Sequence, residues 1–148
     1  MKKTFTKQEY ASYVKSVSPN SKLGINVLKA FVVGGLICII GQFVINYFKA
    51  KGLDKETVSS ITSIVMIFLG AFLTGLNVYD EIGRFAGAGS IVPISGFANS
   101  VASPAMEFKS EGLILGMGAK MFVVAGPVIV YGICSSIIVG IIYYLLSL

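Results

Sequence analysis

The sequence has no histidine, only two cysteines, and charge on just 13% of its 148 residues. Without histidine the usual general base at neutral pH is missing. Cys38 and Cys134 both lie inside apolar runs, where they form neither a disulfide framework nor a metal spacing. No neighbour activates either thiol, so they read as small packing residues. The acids outside the N-terminus and the loops (Asp80, Glu81, Glu107 and Glu111) show no metal-ligand pattern. Catalysis is therefore poorly supplied, and no enzyme, cofactor or metal is expected.

The shortage of charge excludes a second class. Soluble domains carry about 25% charged and about 45–50% apolar residues. Here 55% of residues are apolar and the mean hydropathy is +0.82. A soluble chain of this size leaves too much of its surface in water to hide so many apolar side chains. The expected fold is an all-α integral membrane protein with about four membrane segments and the lipid bilayer as its solvent. The net charge of +5 does not point to nucleic acid, because no basic patch with interleaved aromatics accompanies it. Instead, six lysines precede residue 30 (Lys2, Lys3, Lys7, Lys15, Lys22 and Lys29) against the single acid Glu9. Such a flank orients membrane insertion and also suits anionic headgroups. The first 26 residues contain no apolar signal-peptide core. Insertion is therefore expected to begin with the first span, its N-terminal side cytoplasmic.

Residues 1–26 form a polar, basic segment broken at Pro19, Asn20 and Ser21. A weak apolar stripe before the break (Phe5, Tyr10, Tyr13, Val14 and Val17) predicts a short surface helix. Residues 27–148 form the polytopic membrane domain, with spans at about 27–48, 58–79, 85–106 and 121–146. The uncharged runs 30–48 and 58–79 hold 19 and 22 residues, enough to cross about 30 Å of hydrocarbon at about 1.5 Å per residue. Asp54, between them, is placed to cap the second helix.

The third segment, 85–106, carries Gly87, Gly89, Pro93, Gly96 and Pro104 where a plain span would have leucines. Freed backbone groups cannot face lipid, so a broken segment at membrane depth is enclosed by protein or lines a wet cavity. The break is expected at 87–93 with helix resuming near Ser95. A full but broken crossing is the reading adopted, and a re-entrant element is the alternative. Past the glycine-rich stretch 112–119 and Lys120, the run 121–148 holds 28 uncharged residues. Its excess length is to be taken up by tilt, a kink at Pro127 or an interfacial end.

Within this frame, Arg84, Gly87, Gly89, Ser90, Pro93, Gly96, Asn99 and Lys120 are the candidate conduit or solute-binding residues. Asp80 and Glu81 form a charge cluster with Arg84. Asp80 and Arg84, four apart, can pair on a helix for a few tenths of a kcal/mol. They stand either as solvated charges of an interfacial turn or as part of an anion site at the glycine-rich break, where helix N-termini favour anions. Lys120, with no charge within eight residues, either snorkels to the interface or faces an aqueous path. Gln42, Asn46, Asn77 and Asn99 are polar groups suited to hydrogen bonding between helices or to lining a conduit. Gly132, Ser136 and Gly140 share one helix face, as do Ala71 and Gly75. With Gly34 and Gly35 they read as packing surfaces, and pore lining is the alternative. Residues 29–35 also match 120–126 at five of seven positions, which recurrence by composition explains most simply.

Three blocks carry a resemblance to a known family. The first is Phe31-Val32-Val33-Gly34-Gly35-Leu36-Ile37-Cys38 with Ile40-Gly41-Gln42. The second is Leu73-Thr74-Gly75 with Tyr79-Asp80. The third is Phe85-Ala86-Gly87-Ala88-Gly89-Ser90 with Val92-Pro93 and Gly96-Phe97-Ala98-Asn99-Ser100. Over about residues 22–145 the chain resembles the SpoVA membrane proteins of spore-forming bacteria. Lys109-Ser110-Glu111-Gly112-Leu113 looks like the AC type rather than the shorter AE type.

The resemblance implies movement of dipicolinic acid, as its calcium chelate, across the inner forespore membrane. Uptake belongs to sporulation and release to germination. It further implies a hetero-oligomeric channel of AC- and AE-type subunits with a soluble AD-type subunit on one face, and no catalytic residues. Two other functions stand beside it: a membrane scaffold that docks the soluble partner, and a mechanosensitive channel of low selectivity. A conduit is expected to lose flux with Gly89→Leu or Lys120→Glu while assembling normally, whereas a scaffold tolerates replacement of the glycines.

Overall fold

A computed structural model describes residues 6–18 and 21–147. Lys2, Lys3 and Phe5 of the basic flank and apolar stripe, Pro19 and Asn20 of the expected break, and the last residue, Leu148, lie outside the described residues. The surface helix expected near the N-terminus is present as α1 (Lys7–Val17). It opens on a capping box. Thr6 Oγ1 accepts from the Glu9 N–H at 3.4 Å, and the Glu9 carboxylate accepts from the Thr6 N–H at 2.9 Å. No residue of α1 is buried.

Among the described residues, three helices are long and apolar enough to cross a membrane: Leu23–Ala50, Lys55–Gly75 and the continuous stretch Leu113–Leu146. The first two are α2 and α3. Gly52, at φ +80°, turns the chain between them. Asp54 caps α3, its carboxylate accepting from the Thr57 N–H at 3.0 Å.

That contact with Thr57, side chain and backbone, holds the Asp54 carboxyl below its ordinary pKa. A carboxylate with a depressed folded pKa stabilises the fold above its unfolded pKa, and the contribution is lost as pH falls through the folded value. The Thr57 amide resonance is therefore expected to titrate at a pH below the ordinary aspartate range. In Asp54→Asn that titration disappears while the cap itself persists.

The second span ends earlier than the uncharged run 58–79 predicts. It ends at Gly75, because Asn77 adopts a left-handed conformation (φ 58°), the only positive φ outside glycine among the described residues. Asparagine tolerates that region where most residues do not. Tyr79 therefore belongs to the next element, α4 (Val78–Ala86).

Region 85–106 is interrupted twice. Gly87, at φ 53° and ψ −122°, separates α4 from the single turn α5 (Ala88–Ile91). Pro93, lacking an N–H and extended at ψ 162°, separates α5 from α6 (Ile94–Glu107). The longest of these, at 14 residues, reaches about 21 Å, short of the hydrocarbon layer. Among the described residues, three span-length helices thus flank one discontinuous element.

After a 3-10 turn (Lys109–Glu111), Gly112 at φ 97° leads into a π-helical stretch, Leu113–Gly118, which runs directly into α7 (Ala119–Leu146). The last apolar helix accordingly starts well before residue 121 and takes in both the glycine-rich stretch and Lys120.

The core is built from small residues and close backbone approaches. Val58, Thr62, Met66, Gly70 and Thr74 are the buried residues of α3; four apart each time, they form one ridge. Helix α3 packs most extensively on α6, and α2 packs on α5. At the first crossing, a Cβ on Gly70 would stand 2.6 Å from the Ser95 carbonyl oxygen. At the second, a Cβ on Gly89 would stand 2.7 Å from Ala30 Cα, and one on Gly34 would stand 3.5 Å from Gly89 Cα. Gly96 lets α6 fold back against the Ser90 and Ile91 carbonyls, and Gly116 lets the π-helical stretch lie on Glu111. Helix α7 leans on α6 and on the π-helical stretch, with Ala125 its one buried residue among those described.

Candidate functional site

Where α3 ends, α4 to α6 fold into a polar knot. Tyr79 is 4% exposed, Ser95 4% and Ser90 fully buried. The Tyr79 hydroxyl donates to the Ser90 carbonyl at 2.7 Å and lies 2.9 Å from Ser95 Oγ. A phenol has one proton and a carbonyl only accepts, so Ser95 supplies the second hydrogen bond by donating to Tyr79. Ser90 Oγ donates to the Gly87 carbonyl at 3.0 Å. The freed backbone of the interrupted segment is thereby tied down from inside the protein, as hydrocarbon surroundings require.

Beside the knot runs a polar lane. Thr74 Oγ1, on α3, lies 2.6 Å from the Gly70 carbonyl and 2.8 Å from Asn99 Oδ1 on α6. This pair heads a cavity of about 550 Å³ lined also by Gly75, Asn77, Asp80, Ser103, Met106 and Glu107. A neighbouring cavity of about 330 Å³ shares Asp80 and Asn99 and continues past Gly83, Ser90 and Gly96 to Arg84. The two adjoin at Asp80 and Asn99, and their walls carry amides, hydroxyls and charges of both signs. The larger cavity between α2, α3 and α4, about 600 Å³, is lined chiefly by aliphatic side chains such as Leu36, Ile40, Leu69 and Leu73. It offers little to a polar solute.

Charge along the lane is only partly neutralised in place. Arg84 meets Asp80 at 2.9 Å and Glu81 at 2.8 Å, with all three side chains more than two-thirds exposed. Such solvated pairs contribute about 0–1 kcal/mol each. Two carboxylates facing one guanidinium leave the cluster net negative. In this arrangement Arg84 is not a free anion receptor. Lys120 is exposed, with its ammonium 4.7 Å from the centre of the Phe108 ring, and it lines neither cavity of the lane. Lys29, its counterpart in the 29–35 and 120–126 similarity, lies 4.6 Å from the Phe85 ring centre. The matching lysines thus rest on aromatic rings at the two ends of the discontinuous element, each as a cation–π contact.

Of the conduit candidates, Arg84, Ser90, Gly96 and Asn99 line the lane, and Asp80 of the charge cluster joins them. Gly87 and Pro93 shape the breaks, and Gly89 is wedged against α2. Since Gly89 is a main-chain contact, Gly89→Leu disturbs packing first and does not separate a conduit from a scaffold. Of the packing candidates, Gly34 meets Gly89, while Gly35, Gly75, Gly132 and Gly140 have no atom within 4 Å of a built Cβ. Ser136 lies exposed on α7, its hydroxyl donating to the Gly132 carbonyl at 2.8 Å. In α3 the close approach is made by Gly70, next to the Ala71–Gly75 face read from the sequence.

Thr74, Tyr79, Ser95 and Ser103 complete the site, and none of them is among the conduit candidates of the sequence. Hydroxyls inside apolar runs carry no periodic signal, and only the break at Asn77 brings Tyr79 round to face Ser90. Among the described residues, no three His, Cys, Asp or Glu side chains gather as a metal site.

Comparison with known proteins agrees with the membrane character of the helices. The family described as SpoVAC/SpoVAEB sporulation membrane protein matches residues 26–142, which take in α3 to α6 entire. Over 142 residues, 95% of each chain, the sequence is 49% identical to stage V sporulation protein AC of Bacillus subtilis (strain 168). No solved structure matches.

Proposed function

From the premise that the chain belongs to the SpoVAC/SpoVAEB family of sporulation membrane proteins, we propose that it is a channel or transport subunit for dipicolinic acid. It serves uptake during sporulation and release during germination. It acts in the inner forespore membrane with its lysine-rich N-terminus on the core side. The observation that carries this reading is the polar lane of Thr74, Asn99, Ser103, Asp80 and Glu107 beside a discontinuous helix. Broken helices at membrane depth expose backbone and side-chain polar groups only where a cavity or protein receives them.

The lane's chemistry favours the calcium chelate over the free acid. Free dipicolinate is a dianion and meets a wall on which Asp80 and Glu107 outnumber Arg84. The one-to-one chelate is neutral and presents carboxylate oxygens together with a cation, which amides, hydroxyls and both signs of charge accommodate. Three span-length helices and one broken element are too few to enclose such a solute alone. The conduit is therefore completed by further subunits, an AE-type paralogue in the membrane and a soluble AD-type protein on one face.

The test is the dipicolinate content of spores from a strain lacking this gene, with and without a restored intact copy. The expected result is spores devoid of dipicolinate and full recovery with the restored copy. Normal dipicolinate in the deletion strain, with no second AC-type gene present, refutes the assignment.

A further inference from the structure

Helices α2 and α3 run antiparallel from the turn at Gly52, so each level of one has a counterpart on the other. Gly41 lies against Met66, and Ile37 shares a cavity wall with Gly70. The start of α2, at Leu23, is therefore on the same face of the protein as the end of α3, at Gly75. The opposite face carries the connection with Lys49, Lys51, Asp54, Lys55 and Glu56.

The discontinuous element follows this ladder in and out. Going in, residues 84–88 share a cavity with Asn26, Val27 and Ala30, and Gly89 then lies against Ala30 and Gly34. The chain thus descends beside α2 and in the same direction. At the turn, Ser95 meets Gly70, five residues or about 8 Å inside the end of α3. Coming back, Asn99 pairs with Thr74, and Ser103 and Glu107 line the cavity that also holds Gly75 and Asn77. Four residues along α6 match four along α3, so the two helices run the same way and finish on the same face. A crossing element would make them antiparallel.

The charges agree with this path. Asp80, Glu81 and Arg84 precede the descent, and Glu107, Lys109 and Glu111 follow the return. Lys29 covers the Phe85 ring on the way in, and Lys120 covers the Phe108 ring just after the way out. A crossing would set these two groups of charges on opposite faces of the membrane.

We propose that residues 78–107 enter and leave the membrane on one face, the face on which α2 begins, and do not cross it. The last apolar stretch, Leu113–Leu146, then starts on that face and ends on the other, so the two ends of the chain lie on opposite sides. Among the described basic residues, only Lys49, Lys51 and Lys55 fall on the far face, an asymmetry that makes the entry face cytoplasmic. The polar lane opens on the entry face, with Asn77, Asp80 and Glu107 at its mouth, and leads inward to Ser90 and Gly96 beside the Tyr79 knot. Its inner end stays in the near half of a hydrocarbon layer of about 30 Å, so this chain's lane serves one half of the crossing. The proposal rests on the three long helices being spans and holds whichever solute the lane takes.

The test is sided cysteine labelling of the full chain in cell membranes, with Cys38→Ser and Cys134→Ser as background. Lys7→Cys, before α2, marks the entry face, and Lys51→Cys, after it, marks the far face. A membrane-impermeant maleimide is added to intact cells and to inverted vesicles. Ser110→Cys is expected to label from the same side as Lys7→Cys, and Ser147→Cys from the same side as Lys51→Cys. Ser103→Cys, inside the lane, is expected to react with a small charged thiol reagent from the Lys7→Cys side and to lose that reaction from the other. Labelling of Ser110→Cys from the Lys51→Cys side means that residues 78–107 cross, and overturns the proposal. So does Ser147→Cys labelling from the Lys7→Cys side, or Ser103→Cys failing to react from the entry face. These readouts are independent of dipicolinate, so failure of the topology is told apart from failure of the solute assignment.

Discussion

Gly89→Leu is expected to unfold the junction between α2 and the discontinuous element. A Cβ at Gly89 would meet the Ala30 carbonyl oxygen, stand 2.7 Å from Ala30 Cα and 2.8 Å from Ala30 carbonyl carbon. These are main-chain atoms of a long helix, and no rotamer change moves them aside. Overpacking costs about 1–3 kcal/mol where side chains can yield; against rigid backbone the cost lies at or above the top of that range. Total stabilities are about 5–15 kcal/mol, so a large share is lost. Gly132→Leu is the matched control, since its Cβ would meet nothing within 4 Å. Thermal unfolding of the two variants in the same detergent checks the contrast. Equal midpoints would mean that α5 does not rest on α2.

Tyr79→Phe is expected to loosen the knot at the centre of the broken segment. The substitution keeps the ring and deletes the one hydroxyl that satisfies the Ser90 carbonyl and receives Ser95. Both partners are buried, so water cannot replace it without opening the fold. Leaving a buried polar group unpaired costs about 1–3 kcal/mol. The Ser95 hydroxyl loses its one hydrogen bond among the described residues, and the Ser90 carbonyl loses the contact that ties α5 to α4. Faster hydrogen exchange at the amides of 88–97, with α2 unchanged, is the expected signature. Exchange as slow as in the unsubstituted chain would show that the knot does not hold the segment.

Much of this was open to reading from the residues. Uncharged runs gave α2 and α3, and the glycines and prolines of 85–106 gave the interruption, because length, charge and helix propensity are local properties. Three features were not local. The end of α3 depends on Asn77 taking a left-handed conformation, which the uncharged run around it hides, so the run assigns Tyr79 to the second span although it belongs to α4. The early start of the last helix depends on a π-helical stretch whose glycines, Gly116 above all, owe their role to contact with Glu111. The lane depends on which hydroxyls the fold gathers; Asn99 and Ser90 stood out in the sequence, while Thr74, Ser95 and Ser103 looked like ordinary small residues of a membrane helix. The sequence places Arg84, Asp80 and Glu81 in one cluster; that the guanidinium holds both carboxylates at once depends on the side-chain conformations.

The central claim is that solute passes along the lane in this chain rather than elsewhere in a complex it merely supports. Ser103→Phe tests it, because Ser103 lines the 550 Å³ cavity and the larger side chain fills that space. The measurement is dipicolinate content of spores carrying the variant as the sole copy, at a membrane level of the protein equal to that of the unsubstituted chain. The account predicts a fall of about tenfold in the rate of accumulation, equivalent to about 1.4 kcal/mol on the barrier. Normal accumulation at equal protein level would contradict it and leave the lane without a role in transport.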